Sequence, residues 1–343
     1  MLRLPSTARR ALLSLLALCS LSGLTFLIPP ITNSTLANGA TMVIAVLGLN
    51  FLTGWSGQVS IGNSGFMAVG AYSTAIVLQH HTSLPIVVTM LISTVLGALA
   101  GVIVGLPATR LRGPYLAGMT LAFGASISPL IQNLGSLTGG PAGMQLSSIP
   151  TAPPWLVAIR SSSTTSITLN AQWLALLSIL VTIVAMFLMA NLQSSRIGRA
   201  MRLVRDNDVA AELVGLNLPR TRVTAFVVSA AYAGLGGSLM AYTQGSVSPQ
   251  HFVVSLSITM LSLMVLGGMG TLSGAVIGGV IYAYSDNTIT WLTTSIGVDP
   301  ISNFGSNLKN VIFGGLLIVT MLVAPRGITG VARQVYIKVR TPR

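Results

Sequence analysis

Long apolar stretches recur along almost the whole chain, and each approaches the length that a helix needs to cross a bilayer. One crossing takes about 17–25 mainly apolar residues. The candidate stretches are residues 11–28, 36–52, 61–78, 84–106, 115–134, 171–189, 223–242, 252–266, 275–292 and 308–322. The pattern predicts an all-α, polytopic membrane helix bundle of about ten transmembrane helices. We expect the bundle to form a single transmembrane domain over residues 1–343.

The chain carries little charge, and most of that charge is positive. Only 7% of the residues are charged, against about 25% in soluble domains, so most of the surface is expected not to face water. The formal net charge is +13. The basic residues lie between the apolar stretches and form no stripe with aromatic residues. They therefore indicate membrane topology, and nucleic acid is not expected as a partner.

The positions of the basic residues predict the sidedness of the bundle, because cytoplasmic loops are enriched in Lys and Arg. With the N-terminus inside and ten crossings, all of the 18 basic residues except Arg160 and Lys309 fall on the cytoplasmic side. Both termini are therefore predicted to be cytoplasmic. The two weakest candidates are 61–78, which is rich in Gly and Ser, and 252–266, which is short. A re-entrant pair in place of two spans would keep the same sidedness and stays open.

Two loops are long. Residues 135–170 are predicted on the outer side and residues 191–222 on the inner side. The inner loop is expected to form a short helical hairpin, and it carries three of the five acidic residues, Asp206, Asp208 and Glu212.

Local rules give this hairpin some detail. Arg202 and Asp206 are four residues apart, a spacing at which opposite charges stabilise a helix surface. Gly215 and Pro219 are expected to end the helix that precedes them.

The sequence has no motif for a catalytic or metal site. It contains no GxxxxGK[ST] phosphate-binding loop, no HExxH pattern and no CxxC pattern. The three histidines are predicted at the outer ends of helices, where an exposed polar residue is more common than a metal ligand. We therefore expect no catalytic residue, no metal and no cofactor, and we do not expect the chain to be an enzyme.

A glycine-rich segment with polar side chains follows the second apolar stretch. Residues 48–63 read GLNFLTGWSGQVSIGN. Glycines permit tight turns, and buried polar groups in a membrane line a bundle interior or a pathway, because contact with lipid is costly. Gln58, Ser60 and Asn63 are therefore candidates for a translocation pathway. A helix-packing turn without substrate contact is the alternative.

Six segments, in order along the chain, resemble the permeases of branched-chain amino-acid ABC importers. Residues 48–63 are similar to the GxTGQxSxG signature of that family. The other similar segments are 112–123, 137–141, 198–208, 267–274 and 325–327. Those at 112–123 and 137–141 resemble the second, M-type, of the two permeases that pair in such importers.

Two sites, one of a single residue and one of two adjacent residues, depart from the family pattern. Asn63 stands where the family often has His or another polar residue. Ala125 and Ser126 stand where an acidic residue is common. These departures leave the substrate open.

The resemblance implies a function, a location and a set of partners. A multi-pass permease in the bacterial plasma (inner) membrane would pair with a second permease, as a heterodimer. Two cytoplasmic ATPase subunits would hydrolyse the ATP, and an extracytoplasmic substrate-binding protein would deliver a branched-chain amino acid. The lipid bilayer is the remaining partner.

The resemblance also gives the inner hairpin a role. ABC permeases dock a cytoplasmic helix with an Ala-Ala-acidic pattern followed by Gly into a cleft of the ATPase. This implies coupling to the ATPase through Arg205, Asp208, Ala210, Ala211, Glu212 and Gly215. A solvated linker between two spans is the alternative.

Two other functions stay open. Urea or short amides are alternative substrates, because related permeases share these motifs. A stand-alone secondary transporter is less well supported, since such proteins place ionisable coupling residues within their spans. Only Asp286 is a candidate there, and Lys309 lies at the start of the last stretch.

Overall fold

The helices of the computed structural model follow the apolar pattern of the sequence. The structure describes residues 25, 30–111, 113–154, 156, 166–296, 303–323 and 327–330. The α-helices are α1 (Pro30–Leu49), α2 (Asn63–His80), α3 (Ile86–Ala108), α4 (Pro114–Asn133), α5 (Gly135–Thr138), α6 (Ser166–Ser194), α7 (Arg196–Asp206), α8 (Asp208–Leu213), α9 (Leu218–Gln244), α10 (Val254–Gly267), α11 (Leu272–Ile296) and α12 (Asn303–Val323). A π-helical turn (Asn50–Trp55) extends α1, and 3-10 turns cover Gly140–Ala142 and Pro249–Phe252. Two short strands complete the described chain, β1 (Met144–Gln145) and β2 (Ser246–Val247).

The prediction of a polytopic helical membrane protein is confirmed. Every predicted stretch from 36–52 onward falls mostly within a helix, whereas 11–28 lies outside the described residues except for Thr25. In the part of the chain that the structure describes, five helical segments are long and apolar enough to span a membrane: Thr32–Trp55, Ile86–Ala108, Pro114–Asn133, Leu169–Ser194 and Leu218–Gln244. Shorter apolar helices cover Val254–Gly267, Leu272–Ser285 and Val311–Thr320. The number of ten spans stays a prediction.

Helix α9 lies at the centre of the bundle and packs closely against α2 and α3. A Cβ atom on Gly70 of α2 would overlap the backbone of Gly234 of α9, so the two backbones touch directly. Small residues at helix interfaces permit such contact within membranes. Hydroxyl groups join the same three helices, since Thr74 Oγ1 lies 2.7 Å from both Ser93 Oγ and Ser238 Oγ. The Gly- and Ser-rich stretch 61–78 is therefore an internal helix.

The two long loops lie at opposite ends of α9. The 191–222 loop leads into the N-terminus of α9. The 135–170 loop contains β1, which pairs antiparallel with β2, just beyond the C-terminus of α9. This is the relative placement that the basic residues predict.

The 191–222 loop is a helical hairpin, as predicted, but two details differ. The side chain of Arg202 lies over the ring of Trp55, and Asp206 pairs instead with Arg205. Pro219 lies in the first turn of α9, so it begins a helix and does not end one. Proline is favoured there because the first turn of a helix does not use its backbone N–H groups.

Candidate functional site

The π-helical turn at the end of α1 is fixed to the turn between α10 and α11. Both ends of the Asn50 side-chain amide are used. Asn50 Nδ2 donates to the carbonyl oxygen of Thr271 (2.7 Å), and Asn50 Oδ1 accepts from the backbone N–H of Gly270 (2.6 Å). The indole Nε1 of Trp55 donates to the carbonyl oxygen of Gly270 (2.8 Å). Two loops more than 200 residues apart in sequence are thereby held together.

The three predicted pathway residues follow this turn and are buried inside the chain. Gln58 Nε2 donates to Ser56 Oγ and to the carbonyl oxygen of Arg222 (3.4 Å). Ser60 Oγ accepts from the backbone N–H of Gly62 (3.4 Å). Their burial agrees with the expectation that polar side chains avoid contact with lipid. Their role in a pathway stays a prediction.

Asn63 begins α2 and lies deeper in the bundle. Its Nδ2 atom is 3.4 Å from both the carbonyl oxygen of Ala45 and Met260 Sδ. Within the described part of the chain, Asn63 Oδ1 has no hydrogen-bond partner, and the same is true of Gln58 Oε1. Buried polar atoms are rarely left unpaired in proteins, so each such atom is a candidate for a functional contact.

Capping residues and a small apolar core determine the shape of the hairpin. The Ser195 side chain caps α7, and Asn207 Oδ1 caps α8 by accepting from the backbone N–H of Ala210 (3.0 Å). The apolar core of the hairpin consists of Val204, Ala211 and Leu218, with Leu203 and Leu216 packed against it. The Asn207 cap allows α8 to begin directly after α7.

Charged groups attach the hairpin to the membrane helices. Arg205 Nη1 donates to the carbonyl oxygen of Gly54 (2.7 Å). The guanidinium of Arg202 lies 4.6 Å from the centroid of the Trp55 ring, within the distance of a cation–π interaction. Arg222 of α9 donates to Asp208 of α8 (2.6 Å). The hairpin therefore has a fixed orientation on the bundle.

A cavity of about 330 Å³ lies between the hairpin and the segment after the π-helical turn. It brings together one predicted pathway residue, Gln58, with two predicted coupling residues, Arg205 and Asp208. The cavity carries charges of both signs, each partly neutralised by a pair. Ser60 and Asn63 do not line it. Among the described residues, no group of three or more His, Cys, Asp or Glu side chains is placed to hold a metal ion.

The predicted coupling residues separate into an inward set and an outward set. Arg205 and Asp208 are used in the contacts above, and Ala211 is fully buried in the hairpin core. Ala210 is partly buried, whereas Glu212 and Gly215 are exposed. The inward position of Ala211 does not favour the expectation that it contacts a partner directly.

Sequence reasoning missed an exposed apolar surface on the hairpin, here called the apolar tip. Its members are Val209 (67% exposed), Leu213 (85%) and Val214 (69%). Val209 and Leu213 are four residues apart, so they share one face of a helix. That spacing could have identified the face, because Ala211 lies opposite and fills the core.

Comparison with known proteins identifies the family. The family described as "Branched-chain amino acid transport system / permease component" matches residues 31–321. No solved structure matches the chain significantly.

Curated relatives carry related names. The high-affinity branched-chain amino acid transport system permease protein LivM of Escherichia coli (strain K12) is 32% identical over 310 residues, covering 85% of this chain and 68% of LivM. BraD of Pseudomonas aeruginosa and LivH of Escherichia coli (strain K12), permease proteins of the same description, are 27% and 26% identical. Each alignment covers 85% of this chain and 92% of the relative. The higher identity to LivM than to LivH agrees with the M-type resemblance. The chain therefore belongs to the family of permease components of branched-chain amino acid transport systems.

Proposed function

We propose that this chain is the M-type transmembrane permease subunit of an ATP-driven importer and forms part of the pathway for branched-chain amino acids. The names of its relatives and the family match over residues 31–321 support this substrate class. The whole chain acts as one permease domain in the bacterial inner membrane, with both termini and the hairpin on the cytoplasmic side. The hairpin couples the pathway to ATP hydrolysis on separate subunits.

The observation that carries the coupling role is the apolar tip. Its three large apolar side chains are each at least 67% exposed, more than Ile197 elsewhere on the hairpin (44%). Exposed apolar groups of this kind mark contacts with a partner protein, and the hairpin already holds its own core without them. We therefore assign contact with the ATPase to the apolar tip and Glu212, closure of the hairpin onto α9 to Asp208, and attachment of the hairpin to the π-helical turn to Arg205.

A second permease subunit is proposed to pack against α4. One face of this span exposes small or hydroxylated side chains, Gly118, Ala122, Ala125 and Ser126. No other part of the described structure lies within 4 Å of a Cβ atom built on Gly118. Small residues allow close helix approach in lipid, so this face suits another transmembrane helix. Two ATPase subunits and an extracytoplasmic substrate-binding protein complete the proposed importer.

Uptake by the reconstituted complex tests this function. The affinity-tagged chain is co-expressed with its candidate partner subunits, purified, and placed in proteoliposomes with the binding protein outside. We expect leucine uptake that requires ATP on the side of the ATPase subunits, with isoleucine and valine as competitors. Competition by urea or short amides, with none by branched-chain amino acids, would favour the alternative substrates. ATP-independent uptake by the chain alone would indicate a secondary transporter and contradict the proposal.

A further inference from the structure

The π-helical turn Asn50–Trp55 is held from two sides by groups distant in sequence. The hairpin holds one side, through the Arg205 hydrogen bond to Gly54 and the position of Arg202 over Trp55. The turn between α10 and α11 holds the other side, through the hydrogen bonds of Asn50 and Trp55 to residues 270 and 271. Trp55 is thus in contact with both partners at once.

The turn and the adjoining Gly57 pack closely against the two partners at the following points. A Cβ atom on Gly54 would lie 2.5 Å from the backbone nitrogen of Gly270. A Cβ atom on Gly57 would lie 2.7 Å from Cγ of Arg205. Because tightly packed elements do not deform continuously, a displacement of α7 must also displace the turn or break these contacts.

Hydrogen bonds join the turn to residues 56–63, here called the polar segment. The backbone N–H of Gln58 donates to the carbonyl oxygen of Leu52 (3.2 Å), and Thr53 Oγ1 donates to the carbonyl oxygen of Gln58 (3.1 Å). The segment continues directly into Asn63 at the start of α2. π-helical turns are rare, and many lie at functional sites.

We propose that the π-helical turn is the joint that transmits hairpin movement to the polar segment, and that Trp55, Arg202 and Arg205 are its positioning residues. This inference rests on the proposed function, since it concerns how ATP-driven movement reaches the pathway. Arg202 and Arg205 hold the hairpin to the turn and lie apart from the apolar tip. Their loss is therefore expected to spare ATPase docking and to lower the uptake obtained for each ATP hydrolysed.

The test compares variants in the complete reconstituted importer. Uptake and ATP hydrolysis are measured on the same proteoliposomes, together with the amount of ATPase that co-purifies. Arg205→Gln is expected to lower uptake per ATP about tenfold, the scale of one lost charge-assisted hydrogen bond. Arg202→Gln is expected to lower it about fivefold, the upper scale of an exposed cation–π contact, and both should keep normal ATPase recovery. Arg202→Lys keeps a cation over Trp55 and is expected to restore the ratio to within about twofold of wild type. Arg199→Gln is the matched control, because Arg199 lies on the same helix but its side chain donates to the carbonyl oxygen of Ser194 of the preceding helix, away from the π-helical turn.

The outcomes separate this inference from the proposed function. If the wild-type importer lacks ATP-driven uptake, the proposed function fails. If the wild type is active and every variant keeps the normal uptake per ATP hydrolysed, the proposal that the turn is a joint is wrong, even where absolute rates fall. If the importer with Arg205→Gln does not assemble, the comparison of Arg202→Gln with Arg202→Lys still tests the inference. Arg202 is exposed, so its replacement buries no unpaired charge. Equal ratios for Arg202→Gln and Arg202→Lys would then overturn the proposal.

Discussion

Arg222 donates a 2.6 Å hydrogen bond to Asp208, and this ion pair joins the first residue of α8 to the first turns of α9. It closes the hairpin back onto the helix at the centre of the bundle. Both side chains are partly buried, and Arg222 is the more buried of the two. The pair therefore fixes where the apolar tip points.

Removal of one partner is expected to destabilise the hairpin. Asp208→Ala leaves Arg222 without a carboxylate partner. The loss is expected to lower the stability of the hairpin by about 1 kcal/mol, as for a partly exposed ion pair. We expect weaker binding of the ATPase and a small fall in the melting temperature of the detergent-solubilised chain. The Asp208→Ala, Arg222→Ala double variant should recover part of the loss. Full additivity of the two single changes would show that the pair does not interact.

The apolar tip yields a direct test of docking. Leu213→Asp places a charge at a surface that is proposed to be buried against the ATPase, so we expect loss of ATPase co-purification and of transport. Folding should survive, because Leu213 is 85% exposed and lies outside the hairpin core. Ile197→Asp is the control, since Ile197 is also an exposed apolar residue of the hairpin but lies away from the tip. Similar effects from both variants would argue against a specific docking surface.

Gly215 tests the backbone conformation at the end of α8. Gly215 has φ near +81° and no neighbour within 4 Å of a Cβ position. Gly215→Ala is therefore expected to cost about 1 kcal/mol through backbone strain alone, and Gly215→Asn less, since Asn tolerates this conformation better. A thermal unfolding series measures the difference. Equal melting temperatures for wild type, Gly215→Ala and Gly215→Asn would contradict the strain argument.

Glu212→Arg tests charge at the docked surface. Glu212 is exposed and forms no ion pair among the described residues, so reversal of its charge should leave the chain folded. Repulsion across a docked interface can cost several kcal/mol, and we expect loss of transport-coupled ATP hydrolysis. Normal uptake and normal ATPase recovery would show that this face of the hairpin is a linker.

The spans were predictable from the sequence, because apolar length is a local property of the chain. Contacts between distant residues were not. Asn50 lies in the quoted glycine-rich segment, but its bonds to residues 270 and 271 arise only in the folded bundle. The local rule that pairs Arg202 with Asp206 was wrong because the Trp55 ring provides a tertiary contact for Arg202.

At the candidate site, burial of the polar residues was predictable, but the orientation of the hairpin residues was not. Burial of Gln58, Ser60 and Asn63 follows from the cost of polar groups in lipid, and the structure agrees. Which of the six predicted coupling residues point into the hairpin could not be predicted from those residues alone. All six are charged or small, and they show no periodicity that separates the buried Ala211 from the exposed Glu212. The apolar face at Val209 and Leu213 was the available signal.

Topology is tested by labelling of single cysteines in intact cells. Ser194→Cys, in the hairpin loop but outside the apolar tip, is expected to label only from the cytoplasm and His81→Cys only from outside, because the two residues lie at opposite ends of the bundle and both are exposed. The single native cysteine, Cys19, is replaced by Ser first. Labelling of both positions from one side would contradict the orientation.

Asn63 gives the sharpest test of the pathway, because its present contacts are weak. Both of its Nδ2 contacts are 3.4 Å long, and Oδ1 has no partner among the described residues. Asn63→Ala therefore removes little hydrogen bonding from the fold, although it leaves a small gap in the core.

Ser257→Ala is the matched control, since Ser257 is equally buried nearby and bonds to Ser64 (2.7 Å). If Asn63 contacts substrate, Asn63→Ala should lower uptake or change the order of preference among leucine, isoleucine and valine, with normal assembly and ATPase recovery. Ser257→Ala should change stability at most. Unchanged uptake and preference in Asn63→Ala would assign this residue to packing and remove it from the proposed pathway.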